Sequence, residues 1–267
     1  MGISDKAEAY RQRLLGLIPS LVYSGGAGGG CEPVQFDLYP RDYLAYAEAS
    51  LEEQSTESRV RCVGHLKRAV DCQIALFFCC LGLEDYFKGK RLNFHRRLEF
   101  IKALGLVSPR SISRLNSIRN RVEHEFVDPK DADLLLYFDL CQCFVSVLEA
   151  YAFYICCSAK IEFEISGKTA KDHTNWFGSS YDANAKQLEA RFSRDDSLLF
   201  DMSSMEDFAF GLRCHFALIA LGYIGDAEEC RRKINQFEVS NNRVEPTANA
   251  AVSSASRSVP RVGGGSS

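Results

Sequence analysis

Residues 131–158 read DADLLLYFDLCQCFVSVLEAYAFYICCS, a long and very apolar stretch in a chain of 267 residues. A helix that is apolar around most of its circumference is typical of a protein core. We therefore expect residues 131–158 to form the central helix of the fold, with the neighbouring segments packed around it.

The segments before this helix also have helical spacing. Within 59–81, Leu66, Val70 and Ile74 recur at intervals of four residues, which predicts a stripe that faces the core. Asn93 is a suitable N-cap for the next helix, and Gly105 follows its last apolar residue. The helices predicted before residue 131 cover residues 41–55, 59–81, 94–104 and 109–126.

The chain changes character after residue 158. Residues Ile161–Ile165 alternate strictly between apolar and charged side chains, which is typical of a half-buried strand. Residues 188–192 and 197–202 predict two further strands, and helices are expected at 205–223 and 226–237.

Both ends of the chain are predicted to lie outside the helical body. Residues 24–30 read SGGAGGG, which favours a flexible linker after a short leader helix. The sequence thus predicts a mainly α protein, a helical bundle with a small C-terminal α+β appendage. Its predicted parts are a leader helix and Gly-rich linker at 1–33, a helical domain at 34–158, the appendage at 159–237 and a disordered tail at 238–267.

The composition is that of a globular protein, with 46% hydrophobic and 25% charged residues. No apolar run reaches the roughly 18–20 residues that a membrane helix needs, so we expect no membrane association. The 11 cysteines are an odd number, most lie in apolar helical runs, and there is no CxxC pair. This pattern favours a reducing, cytoplasmic environment and gives no sign of a metal site.

Positive charge is concentrated in one part of the chain. Residues 88–121 hold ten Lys and Arg residues and one acid, Glu99, for a local net charge of +9. The whole chain has a net charge of -3, so the remainder carries -12. Such a local basic surface favours contact with phosphate backbones, or else it is a solvated face that pairs with the acidic remainder.

Within this basic stretch lies the hexapeptide Arg119-Asn120-Arg121-Val122-Glu123-His124. On a helix, Arg119 falls near the middle of the apolar stripe, where a guanidinium is costly unless it is paired or faces a cleft. Arg119 and His124 are five residues apart and point about 140° away from each other. A second copy of the helix across a two-fold axis would bring the two side-chain types together.

The hexapeptide and its context resemble the HEPN domain family. The resemblance covers residues 41–158 and includes the segment Arg59–Phe78 and the run from Phe94 to Gly105. In that family an Arg, usually followed by a polar residue, precedes a His by four to six positions, as Arg119 and Asn120 precede His124 here.

The resemblance implies an all-helical domain that forms a homodimer in which the two motif helices meet. Many members resemble metal-independent ribonucleases that act as toxins or in defence, and toxin members are often paired with a nucleotidyltransferase-like antitoxin. Others have lost catalysis and bind nucleotides or proteins.

The residue types suit RNA cleavage without a metal or other cofactor, because RNA carries its own nucleophile, the 2′-hydroxyl. His124 has the pKa range of a general base or acid, Arg119 suits stabilisation of the phosphorane-like transition state, and Asn120 would orient the phosphate. The residues expected to contact the RNA backbone are Lys67, Arg68, Arg96, Arg97 and Arg121.

Two alternatives stay open at this point. One is a catalytically silent HEPN-like module that binds a protein or nucleotide partner, with the α+β appendage as its recognition face. The other is a plain helical scaffold whose basic stretch pairs with its own acidic surface.

Overall fold

The computed structural model of the protein describes residues 2–28, 35–53, 55–90, 93–108, 117, 120–121, 131–167 and 175–237. Helices and strands follow one another from the first described residues to the last. The helices are α1 (Asp5–Leu17), α2 (Pro40–Glu52), α3 (Thr56–Cys80), α4 (Glu84–Gly89), α5 (Phe94–Ala103), α6 (Asp131–Cys157), α7 (Met205–Ile224) and α8 (Ala227–Asn235). The strands are β1 (Leu21–Ala27), β2 (Lys160–Ile165), β3 (Trp176–Asp182), β4 (Gln187–Arg191) and β5 (Ser197–Phe200).

The five strands form one antiparallel sheet in the order β1-β2-β3-β4-β5. The first strand comes from the N-terminal part of the chain and pairs with β2, from Leu21 opposite Ile165 to Ala27 opposite Lys160. Its register shifts between Tyr23 and Gly25. The N-terminal segment therefore contributes a strand to a sheet whose other members follow residue 159.

Helix α7 lies across this sheet and contacts all five strands. Every residue from Asp207 to Ile219 is buried, so the helix is enclosed on all sides. Gly211 permits its close approach to the sheet, since a Cβ at that position would lie 3.1 Å from the ring of Phe200. A helix that is apolar all round requires this kind of burial.

Helix α1 belongs to the same core. Tyr10 is fully buried and its ring lies 5.2 Å from that of Phe200 and 6.2 Å from that of Phe210. At the start of α1, the Ser4 backbone N–H and hydroxyl both donate to the carboxylate of Asp207, at 2.9 and 2.5 Å. We call the five strands with α1, α7 and α8 the sheet unit.

Helices α2, α3 and α6 pack against one another and form a second part of the molecule, which we call the helical layer. Phe77 of α3 and Tyr151 of α6 both contact Phe216. Phe216 belongs to α7, so the helical layer and the sheet unit share one continuous apolar core.

The predicted fold class, mainly α with a small C-terminal α+β appendage, is wrong. The protein is a mixed helix and sheet structure with a substantial five-stranded antiparallel sheet. The sheet was underestimated because β1 contains Gly25 and Gly26 and its sequence, LVYSGGA, has no clear alternation. Residues 24–27 belong to this strand and are not a flexible linker.

The predicted helices 41–55, 59–81 and 94–104 are confirmed as α2, α3 and α5, and 131–158 as α6. The central position expected for α6 is wrong: Phe153 on this helix is 64% exposed, and the enclosed helix is α7. The predicted helix 109–126 and the tail 238–267 lie outside the described residues, apart from residues 117, 120 and 121, which are helical.

Candidate functional site

The predicted catalytic motif is only partly described by the structure. Arg119 and His124 lie outside the described residues, so their positions relative to each other are not part of this description. Asn120 and Arg121 are helical and exposed to solvent. A helical backbone is what the sequence predicts at these two positions.

Arg121 lies next to the start of α6. Its guanidinium Nη1 lies 4.0 Å from the Oδ2 of Asp133, and both side chains are about half exposed. A pair with this separation and exposure contributes little to stability, in the range of about 0–1 kcal/mol. The pair does show that Arg121 lies beside the start of α6.

A cationic face also lies on α3. Arg61, His65 and Arg68 are spaced four and three residues apart and so share one side of the helix. Burial lowers the pKa of His65, and the nearby positive charges of Arg68 and Arg61 lower it further. The ring of Tyr46 packs against the imidazole at 5.5 Å.

The members of this face differ in their availability to a ligand. Arg61 is ion-paired with Glu53, whereas the exposed Arg68 has no ion-pair partner among the described residues. Arg68 also lines an open groove of about 650 Å³ between α3 and residues 35–38. Lys67 is half-buried and engaged in an interaction of its own. Arg68 is therefore the better candidate of the two for a phosphate contact.

The structure does not bring Arg96 and Arg97 to the same place. Helix α5 packs near the C-terminal end of α3, where Phe100 contacts Phe78 at 5.7 Å. Phe78 is ten residues beyond Arg68, or about 15 Å along the helix axis. Arg97 pairs at 3.5 Å with the nearly buried Glu84, and Arg96 is exposed without a described partner. The predicted backbone contacts therefore lie in at least two separate regions.

A second group of cations was not recognised from the sequence. Lys102, Arg213, Arg232 and Lys233 line a cavity of about 400 Å³ between α5, α7 and α8. Arg213 is only 7% exposed, although it interrupts an otherwise apolar helix. A lone Arg in such a helix was the one available signal, because the other cations come from distant parts of the chain.

Cys214 and His215 form a packed pair in the core. Both residues are fully buried, and His215 Nδ1 shares a hydrogen bond of 2.9 Å with the hydroxyl of Ser179. Burial lowers the pKa of His215 to about 4, although the nearby backbone of Ser158 acts in the opposite direction. A neutral imidazole and a serine enclosed in a core are structural groups, since no substrate reaches them.

No cluster of three or more metal-ligating side chains occurs within the described parts of the chain. Contrary to the estimate from apolar runs, α6 (over Asp133–Cys157) and α7 are each long and apolar enough to cross a membrane by length and composition alone. In α7 most of that apolar surface is buried inside the protein. Comparison with protein-family models, curated proteins and solved structures gives no match for this chain.

Proposed function

We propose that this protein is a metal-independent endoribonuclease of HEPN type, with Arg119, Asn120 and His124 as its catalytic residues. The observation that carries the proposal is that Asn120 and Arg121 are helical and exposed, with Arg121 beside the start of α6. Exposure leaves Asn120 and Arg121 accessible to RNA or to a second copy of the chain, as the proposal requires.

The chemistry needs only the RNA and these side chains. A base takes the proton of the 2′-hydroxyl, the 2′-oxygen attacks phosphorus, and the bond from phosphorus to the 5′-oxygen breaks. The departing 5′-oxygen receives a proton, and the product is a 2′,3′-cyclic phosphate. In a homodimer the two copies of His124 serve as base and acid, while Arg119 stabilises the charge on phosphorus.

The helical layer supplies candidate RNA contacts on α3. Arg68 is exposed and has no ion-pair partner within the described ranges, and it borders the open groove on α3. Arg121 lies on the motif turn itself. We place Arg96 and Arg97 outside the RNA-binding surface, because Arg97 is committed to Glu84 and α5 lies further along α3.

The biological setting that accompanies this proposal is a toxin–antitoxin or defence system in the cytoplasm. The partners would be RNA, a second copy of the chain and a nucleotidyltransferase-like antitoxin. A test is coexpression with such a protein encoded beside it, which should suppress growth inhibition caused by the chain alone.

The direct test is incubation of the protein with RNA in EDTA, followed by analysis of the new ends. We expect 2′,3′-cyclic phosphate ends from the wild type and at least a hundredfold slower cleavage by His124→Ala and Arg119→Ala. Matched controls are His95→Ala and Arg194→Ala, which remove exposed side chains of the same types elsewhere. An inert wild type, or equal cleavage by all four variants, contradicts the proposal, and RNA binding without cleavage supports the silent module instead.

A further inference from the structure

The cavity lined by Lys102, Arg213, Arg232 and Lys233 carries an inference that is independent of the ribonuclease proposal. We call it the cationic cavity. It lies between the end of α5, residues 105–108, the middle of α7 and the end of α8. No acidic side chain lines it among the residues that the structure describes. Four cations around one cavity repel each other unless something compensates their charge.

Arg213 is the most buried of the four. Its Nε donates a hydrogen bond to the carbonyl of Lys233, and its Nη1 donates to the carbonyl of Ala103 at 3.2 Å. These carbonyls lie in the last turns of α8 and α5, where the negative ends of two helix dipoles partly offset the guanidinium charge. The remaining N–H groups of Arg213 have no partner in the described part of the chain.

Gly105 leaves room for this guanidinium. It ends α5 with a φ of +70°, and a Cβ at this position would lie 2.6 Å from Nη1 of Arg213. The glycine therefore satisfies two requirements at once, the left-handed backbone and the close approach of a charged group. Arg213 is held in a fixed position, which is what a preorganised binding group requires.

The other cations differ in how far they are neutralised. Arg232 binds both carboxylate oxygens of Glu229 at 2.6 Å, and Lys102 lies 3.7 Å from Glu99. Lys233 forms no ion pair within the described ranges: its Nζ lies 3.5 Å from the neutral hydroxyl of Tyr151, and its charge helps to lower the pKa of Glu229.

Arg213 and Lys233 thus form no ion pair with a carboxylate in the part of the chain that the structure describes. Burial lowers the pKa of Arg213, and the nearby Arg232 and Arg11 lower it further, as expected for an uncompensated buried charge.

We propose that the cationic cavity binds a small phosphate-bearing molecule whose phosphate dianion pairs with Arg213 and Lys233. A guanidinium matches the geometry of phosphate oxygens with two parallel N–H donors. The two positive charges that form no ion pair equal the charge of one dianion. The volume of about 400 Å³ admits a phosphate together with a small organic body, which would lie against Leu106 and Val107.

A compact ligand fits this site better than the backbone of an RNA strand. Arg213 is 7% exposed, so only a group that enters the cavity reaches it. A polymer lying across the surface would contact the exposed Arg232 instead.

The test uses the full-length protein and measures its melting temperature during titration with inorganic phosphate and with pyrophosphate. Sodium chloride at matched ionic strength serves as the reference titration. We expect a saturable rise in melting temperature with at least one phosphate compound. Lys233→Gln should weaken this binding about tenfold, and Arg213→Lys should weaken it further because it loses the paired donors.

Arg231→Gln is the matched control, because Arg231 lies on the same helix but pairs with Glu228 and does not line the cationic cavity. It should bind phosphate as the wild type does. If Arg213→Lys does not fold, Lys233→Gln alone decides the result, since its side chain is only half-buried.

Three results would overturn the inference. The first is the absence of a saturable response to phosphate and pyrophosphate, and the second is an equal response to sodium chloride. The third is that the wild type binds an RNA oligonucleotide but not phosphate or pyrophosphate, and that Lys233→Gln binds the RNA more weakly. In that case the four cations form part of an RNA surface.

Discussion

The sheet unit and the helical layer use apolar residues in different ways. In the sheet unit, α7 is enclosed by five strands and by α1, and its apolar surface is used up in the core. In the helical layer, α6 is as apolar in composition but leaves Leu135 and Phe153 exposed. Since buried apolar area is the main source of stability, the apolar surface of α7 contributes to the core around its whole circumference, while part of that of α6 stays at the surface.

The largest expected effect on stability is that of Phe208→Ala on α7, and Phe153→Ala on α6 is its comparison. Phe208→Ala on α7 removes a fully buried ring, and we expect it to lower the free energy of unfolding by about 3–5 kcal/mol. Phe153→Ala on α6 removes an exposed ring, and we expect a change of no more than about 0.5 kcal/mol. Urea denaturation of both variants measures the difference in their free energies of unfolding. Similar losses of unfolding free energy would contradict the contrast between the enclosed α7 and the partly exposed α6.

Acidification should weaken the sheet unit through His215. Its pKa is lowered to about 4 in the folded protein, while the pKa of a histidine in an unfolded chain is about 6.5. The unfolded chain therefore binds a proton first as the pH falls. The neutral His215 therefore contributes about 3 kcal/mol to the free energy of unfolding above about pH 6.5. This contribution is lost as the pH falls towards about 4.

The measurement is the free energy of unfolding between pH 7 and pH 4 for the wild type and for His215→Gln. The variant should lose less stability over this range than the wild type. His95→Gln, which changes an exposed histidine of α5, should follow the wild type. Parallel pH profiles for the wild type and His215→Gln would show that this histidine does not carry the effect.

A smaller effect is expected at the contact between α5 and α7. Gly105→Ala combines a positive φ with a clash against Arg213, and we expect a loss of about 2–3 kcal/mol. Gly167→Ala has a similar φ of +84° but open space around its Cβ, and a loss of about 1 kcal/mol is expected. Thermal unfolding separates the two, and equal losses would show that Arg213 moves aside without cost.

The smallest effect on stability concerns the helical layer. Asp133→Asn removes the ion pair of Arg121 at 4.0 Å, between two half-exposed side chains, and should change the free energy of unfolding by less than about 0.5 kcal/mol. Asp139→Asn on the same helix is the control. If the pair positions the motif turn, RNA cleavage by Asp133→Asn falls while its unfolding curve stays that of the wild type. An unchanged cleavage rate would argue against that role.

The sequence predicted most local structure in the helical layer. The spacing of Leu66, Val70 and Ile74 gave the buried side of α3, and Asn93 is the N-cap of α5, where its side chain accepts a hydrogen bond from the backbone N–H of Arg96. Such signals are short in range, so they can be read from neighbouring residues alone.

The sheet was harder to predict. The alternation at Ile161–Ile165 predicts β2, whereas the sequence of β1 predicts a linker and no strand is predicted at β3. Strand β1 depends on its pairing with β2, more than 130 residues later in the chain. Glycine-rich segments become strands when a partner satisfies their backbone groups, and the local sequence does not contain that information.

What the amino-acid sequence determined by itself is the set of long helices, the local excess of positive charge and the motif from Arg119 to His124. What only the tertiary structure decided is which helix is enclosed, which cations are neutralised and which stay available. Arg97 and Arg68 are equivalent in the sequence, yet one is committed to Glu84 and the other has no described partner. The reason is physical: burial and charge pairing depend on distances between residues that are far apart along the chain.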